Sequence, residues 1–328
     1  MTKSSAEGMG GFKDTRHVSP ATLDARSYGQ ALLAAAREDE RIVCLGADLS
    51  QPTQTDLFRD QIPDRFFMMG IQEANMVGAA GGMARVGDIP FCHSFCAFIT
   101  RRVYDQVAMQ VAYPNLHVKL VGFLPGLATE LGPSHQAIDD VALMRALPNM
   151  IVLEPQGPEQ VGAAVAAALT YPGPVYLRLM VDRGKTNDDA PLVPLVIGKG
   201  LVLREGRDIA LIAAGIMVRE ATRAADLLAE KGVSASVVNM GCLKPIDGNL
   251  VREMGTTHRA ILTVENHSKI GGLGSAVAEV LAESALSVKF GMAAINDVFS
   301  EGATLNYLLE KHGLKATSLC ATALSLLG

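Results

Sequence analysis

Short apolar runs alternate with stretches of helical spacing along almost the whole of this 328-residue chain, and no other feature narrows its fold so far. Residues 41–46, 66–70, 89–92, 118–121, 151–153 and 175–179 read as strands. Between them, helical periodicity covers 25–38, 73–84, 100–112, a stretch from Ser134 as N-cap to 147, and 158–169. Such a chain brings each strand back in the same direction through a helix, which builds a parallel sheet with helices on both faces. A hydrophobic content of 49% and 32 Gly agree with a large core and close helix–sheet packing.

The pattern breaks at 182–196, where Gly184, Asn187, Asp188, Asp189 and Pro191 make a polar, turn-rich stretch. A second series follows, with strands at 209–213, 235–239 and 260–264 and helices at 218–231, 273–286 and near 304–312. The expected fold class is therefore α/β, as two doubly wound parallel-sheet domains. A mobile arm at 1–20 precedes a first domain at 21–185, a linker at 186–197 and a second domain at 198–328.

Several function classes are disfavoured. The net charge is −5 with no basic block, there is no Trp, and aromatics make up 5%, so neither a nucleic-acid footprint nor a base-stacking platform is expected. No apolar run reaches the roughly 18–20 residues that span a bilayer, and the first twenty residues lack the apolar stretch of a secretory signal. Five cysteines, Cys44, Cys92, Cys96, Cys242 and Cys320, are odd in number and scattered among apolar neighbours. They read as free thiols of a reducing cytoplasm, and Cys92-His93 with Cys96 lacks the second pair a metal site needs.

One carboxylate stands out against this background. Glu73 lies between Phe66-Phe67-Met68-Met69 and a run of small residues from Val77 to Gly82. Nothing nearby would hydrate it if the segment is buried, and desolvation would keep it protonated near neutrality. A protonated acid in an apolar pocket donates to the ring nitrogen of a heterocycle. Read from the residues alone, Glu73 is equally an ordinary carboxylate at a helix N-terminus, favoured there by the dipole.

A series of ordered segments carries a resemblance. They are Arg26-Ser-Tyr-Gly-Gln30, Gly46-Ala-Asp48-Leu49, Gly70-Ile-Gln-Glu73, Ser94-Phe95 with Phe98, Arg101-Arg102 with Tyr104-Asp-Gln106, and Gly132-Pro-Ser-His135-Gln136. Leu147-Pro-Asn149, Val175-Tyr-Leu-Arg178, and Glu265-Asn-His267 with Gly271-Gly-Leu-Gly274 complete the set. In this order and spacing they resemble the C-terminal half of transketolase, as it occurs alone in split transketolases. The resemblance implies a pyrimidine-binding domain followed by a transketolase C-terminal domain. It implies thiamine diphosphate shared with an N-terminal-half subunit, which would also supply the Mg²⁺ ligands, since this chain has no Gly-Asp-Gly…Asn motif of its own. It also implies self-association into a heterotetramer with two copies of each half, and inactivity of the chain alone.

The same resemblance assigns residues. Glu73 would hydrogen-bond the aminopyrimidine N1′ and so favour the imino tautomer that removes the C2 proton, leaving the carbanion that carries a two-carbon ketol unit from a ketose to an aldehyde. Phe98 would stack on the pyrimidine with Phe95 as pocket wall, though two apolar residues at this spacing are also plain core. Arg101 and Asp48 would lie near the cofactor. His135 would move or stabilise charge near the reacting carbon, and Arg26 and Arg178 would bind a sugar phosphate. Two departures from common transketolases, Phe123 in place of a phosphate-binding histidine and Leu131 in place of an aspartate, point to a non-standard sugar. The beta subunit of a 2-oxoacid dehydrogenase, a deoxyxylulose-phosphate-synthase-like enzyme and a non-catalytic regulatory paralogue are the competing readings.

Overall fold

A computed structural model describes residues 26–180 and 193–328. The expected arm at 1–20 and the linker residues 186–192 lie outside the described residues. Six strands of the first domain, β1 (Ile42–Gly46), β2 (Phe66–Met68), β3 (Ile89–Phe95), β4 (Lys119–Phe123), β5 (Ile151–Leu153) and β6 (Val175–Leu179), pair in the order β5-β6-β4-β3-β1-β2, all parallel. The second half of the chain supplies β7 (Leu201–Arg204), β8 (Ile209–Ala213), β9 (Ala235–Asn239), β10 (Cys242–Lys244), β11 (Ala260–Ser268) and β12 (Lys289–Ile295). Five of these form a sheet of order β12-β11-β8-β9-β7. Strands β1, β3, β4, β6, β8 and β9 are buried along their whole length, as expected of strands covered by helices on both faces.

Two α/β domains are therefore present as expected, but neither sheet is purely parallel. Strand β7 lies antiparallel on β9, and β10 crosses to the first sheet and lies antiparallel on β5. The Lys244 ammonium fastens that crossing by donating to the carbonyls of Arg145, at 2.9 Å, and of Leu147. Linker residues 193–197 pack rather than dangle. Leu195 is buried, and Gln160 on the Pro158–Thr170 helix donates to the Pro194 carbonyl at 2.7 Å.

Two expected helices differ in ways that matter for the site. The stretch 100–112 is not one α-helix. An α-turn at Cys96–Thr100 passes into a 3₁₀ turn at Arg101–Val103, a short α-turn at Tyr104–Gln106 and a π-helical turn at Val107–Ala112. The helix expected from Ser134 begins only at Asp140 and ends at Ala146. The residues before it form a loop closed by an isolated bridge between Gly126 and Ala137, with Gly126 and Gly132 at φ of 54° and 79°. Inside the stretch expected to be helical, the Ala137 carbonyl is taken by the Gly126 amide rather than by a helical partner, so the helix starts only after this bridge.

Candidate active site

The residues of interest gather outside the carboxyl ends of β1, β2, β3 and β4, where ligands bind open α/β sheets. Strand β2 runs through Gly70, at φ 72°, into Glu73, the first residue of the Glu73–Arg85 helix. Strand β3 ends at Phe95, and Phe98 sits on the turn that follows it. The loop after β4 carries His135.

Glu73 is 2% exposed. Its Oε1 accepts from the Ser94 hydroxyl at 3.2 Å, and its Oε2 accepts from Arg102 at 2.9 Å. The apolar neighbours in sequence give no hint of this cation, which arrives from a segment 29 residues away. Arg102 also lies with its guanidinium carbon 4.3 Å from the centre of the Phe98 ring, a cation–π contact. The His135 imidazole meets the other side of this cluster. Its ring centroid is 5.0 Å from Phe98 in an edge-on arrangement and 6.3 Å from Phe95, and its Nδ1 is 2.9 Å from the Ser134 hydroxyl. Burial and the positive charge of Arg102 hold its pKa below the ordinary histidine value.

Glu73, Phe95, Phe98 and His135 thus converge, with Arg102 bridging Glu73 and Phe98. Sequence reading placed Arg101 here instead. Arg101 turns the other way, donating to Asp139 at 2.8 Å and to the Gln136 carbonyl at 2.5 Å, so it braces the His135 loop. The 3₁₀ turn at Arg101–Val103 changes the helical phase between these neighbours. The usable signal was Arg102 four residues after Phe98.

The two phosphate-binding arginines are also corrected. Arg178 is 1% exposed and fully engaged. It donates to both Asp140 oxygens, to Glu154 at 2.6 Å, and to the carbonyls of Ala137 and Asn266. With its side chain wholly buried, it presents no surface to a sugar phosphate. Arg26 is buried, and both of its terminal nitrogens bond Asp56, one of them at 2.8 Å. Asp48 is exposed just past β1, at φ 61°, with its amide on the Met68 sulfur.

Phe123 is fully buried, edge-on to Tyr28 at 5.4 Å, so it offers no surface to a substrate channel. Leu131, in contrast, is 60% exposed on the His135 loop. The Gly271–Gly274 turn, which as an isolated motif can cradle an anion, is already filled. The Glu265 carboxylate accepts the amides of Leu273 and Gly274 at 2.7 and 2.8 Å, and burial pushes its pKa up to about 7. All five cysteines are free and buried, and among the described residues no His, Cys, Asp or Glu cluster is arranged to hold a metal. No helix of the described residues is long and apolar enough to cross a membrane.

Comparisons with known proteins agree with this architecture. The family model "Transketolase, pyrimidine binding domain" matches residues 24–184, and "Transketolase, C-terminal domain" matches 198–319. The chain is 43% identical over 298 residues to the 6-deoxy-6-sulfo-D-fructose transketolase subunit SqwH of Clostridium sp. (strain MSTE9), covering 90% of this chain and 92% of that one. It is 37% identical over 317 residues to the 1-deoxy-D-xylulose-5-phosphate synthase of Symbiobacterium thermophilum, covering 95% of this chain but 48% of the synthase. Among solved structures, a split-gene transketolase described as an inactive beta4 tetramer superposes with a TM-score of 0.84 at 43% identity, covering 92% of this chain and 97% of that one. With both of its domains matched in order and a relative this similar along 90% of its length, the chain belongs to the transketolase family.

Proposed function

We propose that this chain is the C-terminal subunit of a split transketolase, which passes a two-carbon ketol unit from a ketose to an aldehyde once an N-terminal-half subunit joins it. The observation that carries this reading is the position of Glu73, a buried carboxylate opening a helix beside the half-buried ring of Phe98.

These residues fit the aminopyrimidine end of thiamine diphosphate. A flat heteroaromatic ring needs an apolar face and a hydrogen-bonding edge, and Phe98 and Glu73 supply one of each. In this structure Arg102 covers the Phe98 face and takes one Glu73 oxygen, so ring binding and the Arg102 contacts compete for the same two groups. When bound, thiamine diphosphate supplies the nucleophilic carbon of ketol transfer. Glu73 holds or releases a proton at Oε2, while Ser94 keeps Oε1 fixed. Phe95 and Phe98, with ring centroids 6.0 Å apart, supply the apolar wall of the pocket. His135, neutral to lower pH than an ordinary histidine, accepts or donates a proton at Nε2, and Ser134 orients the ring through Nδ1. The N-terminal-half subunit is assigned the Mg²⁺ and diphosphate ligands, and Asp48 is kept as a residue at the cofactor's edge.

The substrate is read as a modified, non-standard ketose. With Phe123 withdrawn into the core, this now rests on Leu131 and on the relative named for an anionic deoxy ketose. Co-expression with an N-terminal-half subunit, addition of thiamine diphosphate and Mg²⁺, and a screen of donors including 6-deoxy-6-sulfo-D-fructose against aldehydes tests it. Ketol transfer supports the proposal, and ordinary turnover of xylulose 5-phosphate with ribose 5-phosphate overturns the modified-sugar part. Synthase-like condensation is the second reading, favoured by the 37% identity to a deoxyxylulose-phosphate synthase. Pyruvate as donor in the same assay separates the two.

A further inference from the structure

The second domain grips the loop that carries His135 at two places. At the neck, Asn266 on β11 is 1% exposed and uses both ends of its amide. Its Nδ2 donates to the Pro125 carbonyl at 3.0 Å, and its Oδ1 accepts the Leu127 amide at 3.0 Å. Between those partners, Gly126 closes the loop by donating to the Ala137 carbonyl at 3.0 Å. A Cβ on Gly126 would overlap the Asn266 carbonyl. That carbonyl and the Ala137 carbonyl both accept from the Arg178 guanidinium, at 3.0 and 3.1 Å. Farther along the loop, the Gln136 amide donates to the Glu301 carbonyl at 3.0 Å, and Gly302 lies against Glu130 and Gly132.

An asparagine is the side chain of this length that offers a donor and an acceptor at once. Pro125 and Leu127 need one of each, two residues apart. Aspartate would keep the Leu127 bond and oppose the Pro125 carbonyl with an oxygen, while alanine would leave both backbone groups buried without partners. The loop leaves this clamp and returns to it, and His135 lies two residues before the closing Ala137.

We propose that Asn266 is a positioning residue that sets His135 against Phe98 and Arg102, so that the second domain tunes a proton-transfer group in a site it lies outside. The inference rests on the reading of His135 as a participant in ketol transfer. Titration of ¹³C-labelled histidines followed by NMR, with amide exchange of residues 127–137, tests it in the chain without partner or substrate. In Asn266→Ala and Asn266→Asp, the His135 pKa is expected to rise toward the ordinary histidine value as the ring loses its partial burial and moves away from Arg102, the charged group acting on it. Loop exchange is expected to quicken at least about tenfold.

In the assembled enzyme, kcat is expected to fall about tenfold to a hundredfold with thiamine diphosphate affinity unchanged within about twofold. Unaltered His135 titration and loop exchange in a folded variant overturn the proposal, as does unaltered kcat in an active assembly. If Asn266→Ala does not fold, the near-isosteric Asn266→Asp gives the same readouts. If no sugar is turned over at all, the proposed function fails, while the titration still decides the role of Asn266.

Discussion

Arg102 donates to Glu73 at 2.9 Å from a side chain that is 46% exposed, whereas the carboxylate it meets is almost wholly buried. One member of the pair is therefore free to leave and the other is not. Arg102→Ala is expected to lower stability by roughly 1.5–3 kcal/mol, the range for a lost hydrogen bond to a charged group. It should also raise the His135 pKa, because the cation that depresses it is gone. Denaturant melts and histidine NMR on the same variant measure both effects.

Glu73→Gln keeps the shape and the Ser94 contact but removes the acid. Turnover in the assembled enzyme is expected to fall about 10²–10⁴-fold, equal to about 3–5 kcal/mol of barrier. Co-purification of the two subunits should be unchanged. Steady-state kinetics beside size-exclusion chromatography checks it, and normal turnover would remove Glu73 from the mechanism.

Arg178 separates a substrate role from a structural one. Arg178→Met leaves Asp140 and Glu154 buried without their cation, and unfolding is expected to become easier by about 3–5 kcal/mol. A phosphate-binding arginine would instead raise KM and leave thermal unfolding in place. Calorimetry of the chain distinguishes them before any assay is run.

Acid sensitivity has an identifiable contributor in the first domain. Burial pushes His93 down to about 4 from 6.5, while its Nε2 lies 2.6 Å from the Tyr28 hydroxyl. Folded His93 stays neutral where the unfolded chain takes up a proton, so its contribution is fully present above pH 6.5 and lost as pH falls toward 4. The loss is at most about 3 kcal/mol. His93→Gln is expected to flatten the slope of stability against pH over that window, as urea melts at several pH values would show.

The fold was legible because its signals are local. Strands such as Ile209–Ala213 and Ala235–Asn239 were placed at their observed bounds, since continuous apolar runs between turn residues leave few alternatives. The short edge strands β7 and β10 and the outer helices Gly248–Thr257 and Ala316–Leu327 carried weaker patterns and went unread. At the site, motif order points to Glu73, Phe95, Phe98 and His135, and the structure brings these four side chains into one neighbourhood. Arg178 was misread because its partners, Asp140 and Glu154, lie 38 and 24 residues away, and burial is invisible in a motif. Arg101 and Arg102 were exchanged because one 3₁₀ turn rotates adjacent side chains to opposite tasks.

Strand β10 has a consequence for how such chains exchange parts. It belongs to the second half of the sequence yet completes the edge of the first sheet beside β5. A hybrid joined at the polar stretch after β6 would hand one parent's sheet a border strand from the other. Recombination among relatives is therefore expected to tolerate that junction only where β5, β10 and the carbonyls under Lys244 match. What reads along the sequence as a seam between two modules is, in heredity, a single unit.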